Sequence, residues 1–130
     1  MAEVNQIVIL GEQDEAVGQS LKFLIELEDL EVHMFRSAAA ILADPSLARA
    51  ACFIIDCEMP AMHQFKLIAD VRERNRLACL ILTTSHRTDM LRLRAVSAGA
   101  RYLLEKPVLG DALIEALGDI LIGHDRAARR

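Results

Sequence analysis

Apolar positions along the chain alternate five times between short strand-like runs and helix-like stripes. Residues 7–10 (Ile-Val-Ile-Leu) form a compact run that stops at Gly11-Glu12-Gln13-Asp14. From Glu15 onward, Val17, Leu21, Leu24 and Ile25 recur at helical spacing. Residues 30–35 alternate as a half-buried strand does, and Ser37 offers a helix N-cap before the alanine-rich stretch ending at Leu42. Residues 51–55 are a continuous apolar run closed by Asp56, and Phe65, Leu67, Ile68 and Val71 mark a third helix. Residues 79–82 give a fourth strand ending in Thr83-Thr84-Ser85, followed by a helix carrying Met90, Leu91, Leu93 and Val96. That helix stops at Gly99, as a C-terminal cap requires. Residues 101–104 form a short fifth strand, ended by Lys106-Pro107. The last helix sets Leu113, Ala116, Leu117, Ile120 and Leu121 on one face.

Five βα units with unbroken apolar strands predict an α/β fold: a five-stranded, doubly wound parallel sheet in the order 2-1-3-4-5, covered by five helices. In such folds the working site lies at the carboxyl ends of the strands, where the strand order reverses. The residues just past those ends are Glu12, Gln13 and Asp14; Asp56; Thr83, Thr84 and Ser85; and Glu105, Lys106 and Pro107. Taken singly, an acid after a strand is most often a solvated loop residue or a helix cap. Together they bring carboxylates, a hydroxyl and an ammonium to one place. Clustered carboxylates repel one another and call for a hard cation such as Mg²⁺. The lysine and the hydroxyl can hold phosphoryl oxygens, and a carboxylate can act as nucleophile to form an acyl phosphate.

Composition narrows the class further. At 130 residues, 53% hydrophobic and 26% charged, the chain has one domain's worth of core and is neither disordered nor low in complexity. Its apolar runs are far shorter than the ~20 residues a spanning helix needs, and residues 1–6 lack the pattern of a signal peptide, so a soluble cytoplasmic protein with no membrane association is expected. Cys52, Cys57 and Cys79 contain no CxxC pair and are expected to be buried thiols in a reducing compartment. The net charge of −4 hides an asymmetry: residues 1–65 hold eleven acids and three bases, residues 66–130 eight acids and twelve bases. The acidic excess argues against direct nucleic-acid binding by this domain, which needs cations to displace counterions from phosphates. No GxGxxG or GxxxxGK[ST] motif occurs, and the acidic loop after the first strand would repel the phosphate of a flavin or nucleotide.

The segments IVILGEQDEAVGQSL, CFIIDCEMPAM, LILTTSHRTDM and AVSAGARYLLEKP resemble the receiver domain of two-component response regulators, over residues 7–121. Within the family, the resemblance is to the branch with Ser-Ala after the second strand and Glu-Lys-Pro after the fifth. The resemblance implies a receiver domain over residues 5–122, with 123–130 as a basic tail or linker. It implies Asp56 as phosphoacceptor, Thr84 and Lys106 as phosphoryl contacts, and a cis Lys106–Pro107 peptide. It also implies Mg²⁺ held by Glu12, Asp56, the backbone carbonyl of Glu58, and Gln13 or Asp14. Glu58 and His86 fall where family side chains tune access of water to the acyl phosphate. The implied partner is a sensor histidine kinase, and the implied role is that of a phosphoacceptor rather than an enzyme with a separate substrate. The fourth helix, fifth strand and fifth helix would signal, with Arg92, Arg94 and Arg101 contacting a second copy or an output domain.

Three positions depart from the family pattern. Gln13 stands where a second acid usually ligates the metal, Leu103 where an aromatic usually switches with the threonine, and Gln64 where a glycine follows the Met-Pro segment. Tyr102 is one residue early, so strand alternation sends it to the opposite face. These departures define the alternative reading: a pseudo-receiver that works by protein–protein interaction without efficient phosphorylation. His63 and His86 would lie near the pocket, but no further Cys or His has zinc-ligand spacing.

Overall fold

The computed structural model describes residues 5–59 and 65–129. Its elements follow the expected alternation: β1 (Ile7–Gly11), α1 (Glu15–Glu26), β2 (Glu31–Phe35), α2 (Ala38–Ala43), β3 (Cys52–Asp56), α3 (Lys66–Arg74), β4 (Cys79–Thr84), α4 (Asp89–Ser97), β5 (Tyr102–Glu105) and α5 (Gly110–Arg129). The strands form one parallel sheet in the order β2-β1-β3-β4-β5. Residues 123–129, expected as a tail or linker, continue α5 as helix. Pro60, His63 and Gln64 lie outside the described residues.

The strands are apolar on both sides because both sides are covered. Ile7, Ile9, Phe53, Ile55, Leu80, Leu82 and Leu103 pack with Ile41, Leu67, Ile68, Val71 and Ala95 on one face. Val8, Leu10, Cys52, Ile54 and Ile81 pack with Leu21, Ile25, Leu113 and Leu117 on the other. Leu103 and Tyr102 point to opposite faces, as alternation requires. Ser37 caps α2 by accepting from the Ala40 N–H at 3.2 Å, and Gly99 follows α4 with φ +86°, a conformation in which a Cβ would be strained.

Two apolar stripes sit differently from expectation. Val17 is exposed on α1. On α4 the buried face is made by Leu91 and Ala95, while Met90, Leu93 and Val96 are 68%, 61% and 65% exposed. The nine-residue α4 carries apolar side chains on more than one side and has to leave some of them in water; packing against the sheet takes Leu91 and Ala95 inward. The thiols also differ in part: Cys52 is buried, but Cys57 and Cys79 are only half-buried.

Two polar knots hold the loops at the amino-terminal side of the sheet. Buried Asn75 donates from Nδ2 to the carbonyls of Leu47 and Ala50, each at 2.9 Å, and its Oδ1 accepts from the Ala78 N–H at 3.1 Å. Asn75→Ala strands three buried backbone groups, so urea denaturation should show a loss of about 2–3 kcal/mol. On the edge strand β2, His33 sets one ring nitrogen 2.6 Å from Glu31 Oε2 and the other 2.8 Å from Asp44 Oδ2.

With a carboxylate on each nitrogen, the doubly protonated imidazolium is favoured. The hydrogen bond to Glu31, supported by that to Asp44, outweighs partial burial and raises the His33 pKa above its ordinary 6.5. A raised folded-state pKa stabilises fully below the unfolded value, and that stabilisation fades as pH rises through the folded one. Melting temperature should therefore fall between about pH 6 and pH 8, with a shallower slope in His33→Gln. Equal slopes in the two proteins would place the titration elsewhere.

Candidate functional site

The chain leaves β1 towards β2 on one side and returns to β3 on the other, so a crevice opens above the carboxyl ends of β1 and β3. Glu12 follows β1 directly, and its N–H donates to the Phe35 carbonyl at 3.0 Å, fixing the loop against β2. Asp56 is the last residue of β3 and pairs in register with Thr83 of β4. Lys106 follows β5 and precedes Pro107 through a cis peptide.

These side chains converge. Lys106 Nζ lies 2.9 Å from Asp56 Oδ1 and 3.4 Å from Glu12 Oε1, with Asp56 wholly buried and Glu12 2% exposed. Asp56 Oδ1 also accepts from the Glu58 N–H at 2.8 Å, while Asp56 Oδ2 is buried with no hydrogen-bond partner. Glu12 Oε2 accepts from the Asp14 N–H at 3.0 Å. Burial, reinforced by the negative charge of Asp56, holds the Glu12 carboxyl above its usual range. Burial disfavours the Lys106 ammonium, but its hydrogen bond to Asp56 and the charges of Asp56 and Glu12 outweigh that, so its pKa is raised. Cys57, next to Asp56, is pushed up to about 12 by burial and by the charges of Glu58 and Asp56, and stays a neutral thiol.

The residues present fit a hard divalent cation. The enclosed carboxylates of Glu12 and Asp56 meet at one point, and burial together with the charge of Asp56 holds the Glu12 carboxyl above its usual range, a strain that further positive charge relieves. A pocket of about 590 Å³ opens beside them, lined by Glu12, Gln13, Asp14, Ser85, Arg36 and Lys106. Among the described residues no three His, Cys, Asp or Glu side chains converge as a cage, so backbone oxygen and water would complete the shell, as suits Mg²⁺. Asp14 lines the pocket too, and its Oδ1 caps α1 by accepting from the Val17 N–H at 3.1 Å. Gln13 lines the pocket, and its carbonyl accepts from Arg36 Nε at 3.2 Å.

Thr84 is buried at the end of β4. Its Oγ1 donates to Glu58 Oε2 at 2.7 Å, and the Ser85 N–H donates to Glu58 Oε1 at 2.6 Å. The His86 N–H donates to Thr84 Oγ1 at 3.0 Å, and its own side chain stays exposed. Glu58 thus reaches from the loop after β3 to the loop after β4, a link that no sequence spacing announces. Arg36, on the pocket rim, is likewise absent from the sequence expectation.

The three arginines expected to form one surface are dispersed. Arg92 and Arg94 are two residues apart on α4 and leave it on opposite flanks. Arg94 lies over the Phe65 ring at 5.1 Å in a groove between α3 and α4, whereas Arg101 lines a depression with Arg72, Arg76 and Leu77 near the amino-terminal strand ends.

Residues 8–118 match the family profile described as the response regulator receiver domain. The chain belongs to the response regulator receiver family. This receiver is 33% identical over 106 residues to the transcriptional regulatory protein FixJ of Azorhizobium caulinodans, a match covering 82% of this chain and 50% of that protein. It is 26% identical over 117 residues to the response regulator protein TodT of Pseudomonas putida, covering 90% and 52%. The chain therefore spans about half the length of the curated relatives it matches. Among solved structures, the receiver is similar to the CheY-like receiver domain protein of Methanospirillum hungatei, with a TM-score of 0.82 at 21% identity, covering 95% of this chain and 99% of that one. It also resembles Vibrio cholerae CheY4, with a TM-score of 0.81 at 20% identity, covering 89% and 98%. No described helix is long and apolar enough to cross a membrane.

Proposed function

We propose that this receiver accepts a phosphoryl group on Asp56 from a phosphohistidine of a sensor kinase, in the cytoplasm. The observation that carries the reading is the state of Asp56: one oxygen is held by Lys106 and the Glu58 N–H, while the other is buried without a hydrogen-bond partner. A bound carboxylate oxygen would be a blunted nucleophile; Oδ2 has its lone pairs free. In the transfer, a new O–P bond forms at Asp56 as the P–N bond breaks, and the kinase imidazole leaves with the electron pair. Lys106 offsets charge on the transferred group, and Thr84 would donate to one of its oxygens. Glu12, Asp56 and the Glu58 carbonyl would hold Mg²⁺, which neutralises charge when bound.

The role is that of a phosphoacceptor taking part in its own transfer and dephosphorylation, with Glu58 and His86 bordering the path of water. The Ser37-Ala38 and Glu105-Lys106-Pro107 motifs support placement in the branch that carries them. The α4–β5–α5 face would carry the output to a second copy or an output domain, with Met90, Leu93 and Val96 as its apolar centre and Arg92 and Arg94 flanking them. A pseudo-receiver that signals by binding alone is favoured by Gln13 and Leu103. The two readings part in a titration with beryllofluoride and Mg²⁺ followed by amide resonances. Phosphoacceptor function predicts saturable shifts at Asp56, Thr84 and α4 that Asp56→Asn abolishes; a spectrum unchanged at saturating reagent favours the pseudo-receiver.

A further inference from the structure

We propose that the Glu58 carboxylate is an internal competitor for phosphoryl binding, holding the loop after β4 through the same donors that an acyl phosphate on Asp56 would use. The inference rests on the phosphoacceptor reading and adds a regulatory latch to it. Thr84 has a single hydroxyl proton, and it is given to Glu58 Oε2 at 2.7 Å. The oxygen's accepting side is engaged by the His86 N–H at 3.0 Å. The neighbouring Ser85 N–H is directed at the other carboxylate oxygen, at 2.6 Å.

Two adjacent donors are thus closed on one anionic, two-oxygen group, the arrangement a phosphoryl group needs. The carboxylate is held in reach of both phosphate and loop because the Glu58 N–H is itself bonded to Asp56 Oδ1 at 2.8 Å. A hydroxyl proton cannot serve two acceptors at once, so a phosphoryl group on Asp56 gains Thr84 only when Glu58 lets go. Glu58 therefore does two things. It draws the loop preceding α4 towards the phosphoacceptor before any phosphate arrives, and it makes the arrival less favourable.

The test separates the latch from the phosphoacceptor reading. In the phosphate-free protein, Glu58→Ala should shift the Ser85 and His86 amide resonances and speed their hydrogen exchange, an outcome that needs no phosphorylation. With beryllofluoride and Mg²⁺, Glu58→Ala should lower the half-saturating concentration by about tenfold, the weight of one charge-assisted hydrogen bond. Glu58 also repels an incoming anion simply by its charge, so the decisive comparison is a double-mutant cycle with Thr84→Val. The latch predicts that most of the Glu58→Ala gain disappears when Thr84 has no hydroxyl. An equal gain in both backgrounds, or unchanged Ser85 and His86 exchange in phosphate-free Glu58→Ala, overturns it. If no form binds beryllofluoride, the phosphoacceptor reading fails while the exchange measurement still reports on the Glu58–Thr84 contact.

Discussion

Lys106→Met should lower the stability of the metal-free receiver by about 3–5 kcal/mol, the cost of leaving buried carboxylates without their cation. Glu12 and Asp56 are almost wholly enclosed, and Lys106 is the ammonium that lies between them at 3.4 and 2.9 Å. Methionine keeps the length of the stem and removes the charge, so the loss reports on electrostatics rather than packing. The sign of the pH dependence follows from Glu12, whose carboxyl is already held above its usual range. Without Lys106 the Glu12 carboxyl would hold its proton more tightly still. The deficit should therefore be largest at neutral pH and shrink as acid protonates Glu12. Denaturant titrations of both proteins at neutral and mildly acidic pH measure this directly. A deficit independent of pH would mean that the lysine acts through its stem.

Gln13→Asp should tighten Mg²⁺ binding by about 1–3 kcal/mol, the difference between a charged and a neutral oxygen contact. Gln13 lines the pocket beside Asp14, one of whose carboxylate oxygens caps α1. Isothermal titration with Mg²⁺ reads the change. An unchanged affinity would mean that the Gln13 side chain does not face the cation. The same substitution adds another carboxylate to a crowded crevice, so it should cost stability when the metal is withheld.

Much of this architecture is legible in the chain because each strand is an apolar run terminated by the residue that matters. Glu12, Asp56 and Thr84 stand at strand ends, and Lys106 follows one, so finding the strands also finds the site. Ser37 and Gly99 are legible for the same local reason: a cap is set by its own backbone geometry. Contacts made by reach across loops leave no such trace. Glu58 finds Thr84 twenty-six residues away, and Asn75 finds Leu47 twenty-eight residues away, through side-chain length and fold rather than spacing. Glu31 and His33 share a strand face two residues apart, but Asp44, which completes their group, comes from beyond α2. On α4 the periodicity was satisfied by two apolar faces at once, and only packing decides that Leu91 and Ala95 go inward while Met90, Leu93 and Val96 stay out.

The central claim is that the partnerless oxygen of Asp56 takes a phosphoryl group. Intact-mass measurement after incubation with acetyl phosphate and Mg²⁺, with peptide mapping of the product, tests it most directly. The account predicts one added phosphoryl group, labile as an acyl phosphate, located on Asp56 and missing from Asp56→Asn. No mass gain at saturating donor and metal, or a gain that persists in Asp56→Asn, would contradict it.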